Sequence, residues 1–169
     1  MKVGIIGPTR IDKFCEVTTY DKTEYTYFLH ELGVLLAKKG LEIMITPSYT
    51  SAPGFVAQVY RDFKGKKVWG LIPEDDTEFG WFDLDFTLAD EKINCGTWRN
   101  QPESFCQEAD IFICVGLSTG TMIELCYSKW FKMKKVFILT DFLSSKLHPE
   151  IEKDLDIEYI QLSELGDKL

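Results

Sequence analysis

A run of small and hydroxyl-bearing residues at positions 116–121, followed closely by Glu124, is the part of the sequence best suited to binding an anion. The run lies between an apolar segment, Ile111 to Val115, and the helical pattern MIELCYSKWF. A helix that begins here presents unpaired backbone N–H groups and a partial positive charge, which favour phosphate or carboxylate. We expect phosphate contacts from Gly116, Ser118, Thr119, Gly120 and Thr121.

An ordinary helix start explains the same residues without any ligand. Ser118 or Thr119 would then cap the helix, and Glu124 would complete the compensation of the helix dipole in the first turn. Capping patterns of this kind are common. Spacing by itself therefore leaves both interpretations open.

Two further polar loops follow apolar segments that have the character of strands. Gly7, Pro8 and Thr9 come after the first segment, and Ser48 comes after the second. In open parallel sheets, ligands bind outside the carboxyl ends of the strands. We therefore expect these loops to share a ligand with residues 116–121.

Several kinds of chemistry lack their usual residues in this sequence. There is no G-x-G-x-x-G after the first strand and no G-x-x-x-x-G-K-[ST], which argues against dehydrogenases and P-loop NTPases. His30 and His148 are far apart and have no evident acidic partner. The five cysteines form no C-x-x-C pair, so we predict neither a disulfide framework nor a metal site, and no cofactor.

The composition is that of a globular protein that does not bind nucleic acid. The 27 acidic and 19 basic residues give a formal net charge of -8, whereas nucleic-acid affinity needs clustered Lys and Arg. No run reaches the ~18 apolar residues of a membrane span. We expect a cytoplasmic protein without membrane contact, folded as one domain over residues 1–169.

Short apolar runs alternate with amphipathic segments along most of the chain. The runs predict strands at residues 3–6, 41–46, 68–72, 111–115, 136–140 and 157–162. The segments between them predict helices at residues 25–36, 55–63, 119–132 and 145–154. This alternation predicts an α/β fold, a three-layer, Rossmann-like open parallel sheet with helices on both faces.

Residues 74–98 break this alternation. Their first part, PEDDTEFGWFDLDF, interleaves acidic side chains with aromatic ones. The segment is either a surface excursion that packs its aromatic residues on the core or part of an interface with a partner, and the first arrangement is the commoner one.

Two long segments resemble a known family. They are ELGVLLAKKGLEIMITPSYTSAPGFVAQVYRDFKGKKVWGLIPE and RNQPESFCQEADIFICVGLSTGTMIEL. The resemblance is to the Rossmann-like family of the LOG cytokinin-activating phosphoribohydrolases, often mislabelled lysine decarboxylases, and the related molybdenum-cofactor carrier proteins. Gly120, Thr121 and Glu124 match its P-G-G-x-G-T-x-x-E motif, whereas residues 116–118 stand where the family has Pro-Gly-Gly or three glycines.

The resemblance implies functions for particular residues. Arg99 and Glu124 correspond to the Arg and Glu implicated in cleaving the N-glycosidic bond of a nucleoside 5′-monophosphate. The interval between Arg99 and the following Ala-Asp pair is about two residues longer than in the family. The family also implies a small-molecule nucleotide as ligand and a homodimer, for which the aromatic residues of 79–86 with Trp130 and Phe131 offer apolar surface.

Three functional hypotheses follow. The first is a hydrolase that cleaves the N-glycosidic bond of a nucleotide, with Glu124 and Arg99 in catalysis. The second is a non-catalytic nucleotide or cofactor carrier or sensor on the same scaffold, which the loss of the motif's glycines favours. The third is an enzyme similar to nucleoside deoxyribosyltransferases, for which the region around the second strand offers less support.

Overall fold

The chain folds around one seven-stranded sheet in which every pairing is parallel. A computed structural model of the chain describes residues 1–81, 83–131 and 135–169. The strands are β1 (Lys2–Ile6), β2 (Glu42–Ile45), β3 (Lys67–Ile72), β4 (Glu91–Asn94), β5 (Ile111–Cys114), β6 (Val136–Leu139) and β7 (Ile157–Ile160). Their order across the sheet is β4-β3-β2-β1-β5-β6-β7.

The described residues form seven α-helices, six of them between strands and the last after β7. They are α1 (Ile11–Thr18), α2 (Lys22–Lys38), α3 (Ala52–Asp62), α4 (Gln101–Glu108), α5 (Thr119–Ser128), α6 (Pro149–Glu152) and α7 (Leu162–Lys168). The longest, α2, has local reasons for both of its ends. Asp21 accepts a hydrogen bond from the backbone N–H of Glu24 at 2.9 Å, and Gly40 follows the last turn with φ +64°.

Both faces of the sheet are covered, as the runs of apolar residues predict. Every residue of β5 and β6 is buried. Neighbouring residues of a strand point to opposite faces, so Ile5 packs with the cluster that contains residues of α2 and α3, while Ile6 packs with residues of α4 and α5. The predicted α/β fold with an open parallel sheet between two layers of helices is confirmed.

All six predicted strands are present, with bounds within two residues of those expected. The missed strand, β4, is an edge strand of sequence EKIN with exposed residues, so it has no apolar run that could reveal it. It lies inside the unassigned residues 74–98. The helices α1, α4 and α7 have only seven or eight residues each and were not predicted from periodicity.

Helix ends account for the remaining differences. The helix predicted at 55–63 begins earlier, at Ala52, because Ser51 caps it by accepting from the N–H of Gly54 at 2.9 Å. The helix predicted at 119–132 ends at Ser128, and Lys132 lies outside the described residues. The helix predicted at 145–154 is reduced to Pro149–Glu152.

The strand order reverses direction between β1 and β5. From β1 the chain builds one half of the sheet outward to β4, and it then returns to the other side of β1 and builds outward to β7. The loops after β1 and β5 therefore leave the sheet toward opposite sides, which opens a crevice at the carboxyl ends of these strands. Within the described parts of the chain, no helix is long and apolar enough to cross a membrane.

Candidate functional site

A cleft of about 490 Å³ opens at this point of reversal. Its volume falls within the range of small-molecule sites, about 300–1,000 Å³. Six parts of the chain contribute its lining: β1 with the loop after it, the loop after β2, the start of α3, several residues of the segment before α4, the start of α4 and the start of α5. The lining residues are Ile5, Ile6, Gly7, Thr9, Arg10, Thr46, Ser48, Ser51, Pro53, Phe79, Gly80, Asp83, Leu84, Trp98, Gln101, Pro102, Phe105, Gly120, Thr121, Ile123 and Glu124.

Glu124 lies in the wall of the cleft, on the second turn of α5. The helix begins at Thr119 and is capped by Ser118, whose hydroxyl accepts from the backbone N–H of Thr121 at 3.2 Å. The capping interpretation of Ser118 is therefore confirmed. The expectation that Glu124 compensates the dipole in the first turn is wrong, because five helical residues precede it and that turn contains no acidic residue.

Burial dominates the electrostatics of the Glu124 carboxyl. Loss of hydration raises its pKa to about 7, against an opposing effect of a hydrogen bond from Gln101. Burial also raises the pKa of the nearby Cys106 and Cys114 thiols to about 12, so both are neutral at physiological pH. The Glu124 carboxyl therefore divides between its protonated and ionised forms near neutrality, a property that active and binding sites share.

Gln101, the first residue of α4, makes the most informative contact in the cleft. Its Nε2 donates to Glu124 Oε1 at 2.8 Å and to the hydroxyl oxygen of Thr46 at 3.1 Å. Gln101 is buried, and it joins α4, α5 and the end of β2. Neither Gln101 nor Thr46 was among the residues expected at the site. The one sequence feature that could have indicated Gln101 is the interval after Arg99, because Gln101 lies two residues closer to the Ala-Asp pair.

The structure does not bring Arg99 together with Glu124. Arg99 precedes α4, does not line the cleft and has a side chain that is 67% exposed. Its guanidinium pairs with Glu78 at 2.6 Å and lies 5.7 Å from the centre of the Phe79 ring. The catalytic role assigned to Arg99 by resemblance stays a prediction, now without a contact between the two residues to support it.

Five residues of the unassigned segment 74–98 form one wall of the cleft, namely Phe79, Gly80, Asp83, Leu84 and Trp98. Asp76 holds this wall in shape: its carboxylate accepts from the N–H groups of Glu78, Phe79 and Trp98 at 3.0, 2.7 and 3.0 Å. These backbone hydrogen bonds, that from Phe79 foremost, lower the pKa of Asp76. The indole N–H of Trp98 donates to the carbonyl of Gly80 at 2.9 Å. Trp98 lines the cleft, whereas Phe79 and Trp81 are 57% and 43% exposed, so a part for this segment in an interface stays a prediction.

The loop after β1 contributes the positive charge of the cleft. Arg10 stands at the N-cap position of α1 without a side-chain capping bond, and it is the one cationic side chain among the described lining residues. The loop is held by backbone hydrogen bonds, from Ala52 N–H to the Pro8 carbonyl at 2.9 Å and from Ile11 N–H to the Thr50 carbonyl at 3.1 Å. Arg10 is exposed, and within the described parts of the chain it has no acidic partner within 4.0 Å.

The predicted phosphate-binding residues divide into two groups. Those that line the cleft are Gly7, Thr9, Ser48, Gly120 and Thr121, and those that do not are Pro8, Gly116, Ser118 and Thr119. The second group supports the loops: Gly116 has φ +149°, and a Cβ there would lie 3.0 Å from Phe14 and 3.2 Å from Pro8. Leu117 packs against the apolar cluster of α4 and α5 and leaves the cleft open.

Close packing also explains two glycines beside the cleft. A Cβ on Gly7 would lie 2.5 Å from Val115 Cγ2, and a Cβ on Gly54 would lie 1.9 Å from the Ser48 carbonyl oxygen. Gly54 therefore lets the start of α3 approach the loop after β2. Across residues 1–81, 83–131 and 135–169, no cluster of three or more His, Cys, Asp or Glu side chains could hold a metal ion.

The open parallel sheet and the cleft at its point of reversal define a Rossmann-like α/β protein with a ligand-sized site. Solved structures have the same fold. The chain is similar to the molybdenum cofactor binding protein from the phototrophic bacterium Rippkaea orientalis, with 17% identity and a TM-score of 0.67 over 92% of this chain and 87% of that one.

Two other solved structures cover the chain almost completely. The Moco carrier protein from Chlamydomonas reinhardtii has 18% identity and a TM-score of 0.69 over 99% of this chain and 98% of its own. The Northeast Structural Genomics Consortium target TM1055 has 20% identity and a TM-score of 0.73 over 99% of both chains. No family model and no curated protein matches the sequence. At these identities the likeness establishes the fold.

Proposed function

We propose that the chain binds a small anionic molecule, a nucleotide or a cofactor, in the cleft and holds it without chemical change, as a carrier or sensor. The observation that carries the proposal is the distribution of side chains in the cleft. Arg10 supplies a positive charge, Phe79 and Trp98 supply aromatic surface, and Gln101 with Glu124 supplies a polar pair. A mostly apolar cavity with a few convergent polar groups is typical of small-molecule sites.

Two comparisons support a carrier over an enzyme. The similar proteins from Rippkaea and Chlamydomonas are named as a binder and a carrier of the molybdenum cofactor, so this fold serves that purpose in those proteins. In this chain the Glu124 carboxyl contacts the neutral amide of Gln101, while Arg99 pairs with Glu78 outside the cleft. A hydrolase that relied on an Arg beside Glu124 would lack it here.

Hydrolysis of an N-glycosidic bond is the second candidate function. The observation that favours it is the pKa of Glu124, which burial raises to about 7. A carboxyl that titrates near neutral pH suits general acid or base catalysis, and a carboxylate stabilises oxocarbenium character at an anomeric carbon.

The deciding experiment combines binding with product analysis. The purified protein is first denatured and its supernatant analysed by mass spectrometry for a retained small molecule. A panel of nucleoside 5′-monophosphates is then tested for thermal stabilisation, and the same mixtures are chromatographed for free base and ribose 5-phosphate. A carrier gives stabilisation without release, by roughly 5–10 °C at a ligand concentration near 100 Kd.

A matched pair of variants separates the two functions. Glu16 is an exposed residue of α1 that does not line the cleft, so Glu16→Ala is the control for Glu124→Ala. If base release disappears in Glu124→Ala and persists in Glu16→Ala, the protein is a hydrolase and the carrier function is rejected. If the protein retains no ligand, is not stabilised by any probe and releases no base, both functions are rejected.

A homodimer remains part of the proposal. Trp130 is 78% exposed and Trp81 is 43% exposed, so both are free to enter an interface, whereas Phe131 is partly buried and Phe82 lies outside the described residues. Phe79 lines the cleft, so an interface over it would adjoin the ligand. Light scattering of the purified protein measures the oligomeric state directly.

A further inference from the structure

Residues 76–80, called segment 76–80 below, meet the turn before α4 at the wall of the cleft. Trp98 of the turn joins the two through hydrogen bonds. Its backbone N–H donates to Asp76 Oδ2 at 3.0 Å, and its indole N–H donates to the carbonyl of Gly80 at 2.9 Å. Asp76 is buried and Trp98 is half-buried, so these bonds are shielded from water and hold the inner side of the contact.

Arg99 joins the same two parts of the chain on the side that faces solvent. Its guanidinium pairs with Glu78 at 2.6 Å and lies 5.7 Å from the centre of the Phe79 ring. The side chains of Arg99 and Glu78 are 67% and 54% exposed. An ion pair between exposed groups competes with water and is screened by salt, so it breaks and re-forms easily. A reversible interaction therefore fastens the outer side of the contact.

The sequence around segment 76–80 needs a cation from elsewhere in the chain. Residues 74–85 include six acidic side chains and no Lys or Arg. Like charges at this spacing repel one another, and the segment has no cationic group of its own to offset the repulsion. Among the described residues, the pair of Glu78 with Arg99 is the one ion pair that residues 74–85 make. The attachment of this acidic segment by charge therefore depends on Arg99.

Phe79 connects this attachment to the cleft. Its ring lines the cleft and is nevertheless 57% exposed, so it lies at the mouth, between the interior and solvent. Its backbone N–H donates to Asp76 Oδ1 at 2.7 Å, which ties the residue to the inner side of the contact. The position of the Phe79 ring therefore determines how wide the mouth is.

We propose that Arg99 is a positioning residue that fastens segment 76–80 and so sets how fast a ligand enters and leaves the cleft. Opening of its pair with Glu78 frees the Phe79 ring and widens the mouth. Arg99 does not line the cleft, so a ligand inside leaves its contacts intact. An interaction of equal strength in two states does not shift the equilibrium between them, so Arg99 changes rates and leaves Kd the same. This inference rests on the proposed binding of a small molecule.

Hydrogen exchange of backbone amides tests the attachment without any ligand. The N–H of Phe79 exchanges when segment 76–80 opens. Exposed ion pairs and exposed cation–π contacts are weak, so Arg99→Ala should speed this exchange by about three- to tenfold. Arg99→Lys keeps the charge and should restore most of the protection. Lys153→Ala removes an exposed cation outside the cleft lining and is the control. The amide of Ile113 in β5 should keep its rate in every variant, which shows that the fold is intact.

Salt and a partner variant make this test specific. About 1 M NaCl screens charges beyond about 3 Å, so it should speed the exchange of Phe79 in the unmodified protein and have little further effect in Arg99→Ala. Glu78→Gln removes the partner and should give a similar increase. The two substitutions together should add little to either alone, because both break the same pair. A merely structural role for Arg99 would not give this dependence on salt.

Stopped-flow measurements connect segment 76–80 to the ligand. The probe is the nucleoside 5′-monophosphate that most stabilises the protein, and its entry is followed by tryptophan fluorescence, to which Trp98 in the cleft wall contributes. In Arg99→Ala the association and dissociation rates should both rise by about three- to tenfold, while Kd stays within about twofold. Arg99→Lys should bring both rates back toward those of the unmodified protein.

The outcomes separate this proposal from the binding function. Unchanged exchange at Phe79 in Arg99→Ala overturns the proposal, whatever the ligand. A higher Kd with an unchanged association rate also overturns it, because Arg99 then contacts the ligand. Faster hydrogen exchange with unchanged ligand rates shows that segment 76–80 opens without governing entry, which overturns it as well. If no monophosphate binds, the proposed binding function fails, and hydrogen exchange by itself decides whether Arg99 fastens the segment.

Discussion

Gln101 and Glu124 are joined by a hydrogen bond of 2.8 Å between Nε2 and Oε1, across the gap between α4 and α5. The bond links the first residue of one helix to the second turn of another, 23 residues apart in sequence. It holds the half-buried Glu124 side chain in place and also determines which atoms of Gln101 remain for a ligand. Most of the functional proposals depend on this pair, and the predictions below test it together with the loops around it.

The stability of the protein should depend on pH through Glu124. Its pKa is about 7 in the folded protein and 4.5 as the ordinary value, so the folded state holds the proton more tightly. The contribution of Glu124 to the free energy of unfolding is therefore greatest at or below pH 4.5. It decreases as the pH rises to about 7 and is constant above that pH. The whole decrease is up to about 3 kcal/mol, from 1.36 kcal/mol per pKa unit.

The variant Glu124→Gln lacks this titration. Between pH 5 and pH 7.5 the unmodified protein should lose stability that the variant keeps, so the variant's free energy of unfolding should rise relative to that of the unmodified protein. Urea denaturation at these two pH values measures the difference. Glu16→Gln is the control and should show no such trend. A difference between Glu124→Gln and the unmodified protein that stays constant with pH would show that the carboxyl titrates normally.

Replacing Arg10 should weaken the binding of an anionic ligand, whereas replacing Arg99 should not. Arg10 lines the cleft, and Arg99 pairs with Glu78 outside it. Charge-assisted hydrogen bonds contribute about 1.5–3 kcal/mol, so Arg10→Ala should raise the Kd for a nucleotide by about tenfold or more. Calorimetry on both variants makes the comparison. A larger rise in Kd for Arg99→Ala than for Arg10→Ala would show that Arg99 contacts the ligand and would favour the hydrolase.

Two glycines should respond to alanine in different ways. At Gly54 a Cβ would lie 1.9 Å from the backbone oxygen of Ser48, so Gly54→Ala should cost about 3 kcal/mol or more in unfolding free energy. At Gly120 the nearest atom is Ser118 Oγ at 3.9 Å, so Gly120→Ala should leave the unliganded protein unchanged or stabilise it by up to about 1 kcal/mol.

The binding measurements on the same two variants address the ligand. Gly120 lines the cleft, so its added methyl group should lower the affinity for a nucleotide even though the fold is intact. Denaturation curves and titrations of Gly120→Ala together separate the two effects. Unchanged affinity in this variant would place the ligand away from the start of α5.

Asp76 should control the aromatic wall of the cleft. Its carboxylate accepts from the N–H groups of Phe79 and Trp98, so Asp76→Ala should leave these amides without their acceptor and loosen the segment. We expect a thermal midpoint lower by several degrees, a changed near-UV signal from Trp98 and weaker ligand binding. Glu74→Ala, an exposed acidic neighbour in the same segment, is the control. Identical behaviour of the two variants would contradict the role of Asp76.

The amino-acid sequence by itself determined the scaffold and the general place of the site. Apolar runs such as Ile111 to Val115 mark strands buried on both faces, because burial leaves no room for polar residues at any position. The turn after that strand, with Glu124 beyond it, could be located because parallel strands bring their carboxyl ends to one edge of the sheet.

Only the tertiary structure decided which side chains meet there. The bond between Gln101 and Glu124 depends on where α4 begins: Gln101 is its first residue, whereas Arg99 lies in the turn before the helix and pairs with Glu78. Phe79 and Trp98 are held in the cleft wall by hydrogen bonds from their N–H groups to Asp76, which no apolar period in the sequence reveals. The periodicity of apolar residues indicates which face of one helix or strand is buried. A functional site depends instead on how several helices and strands are oriented relative to one another.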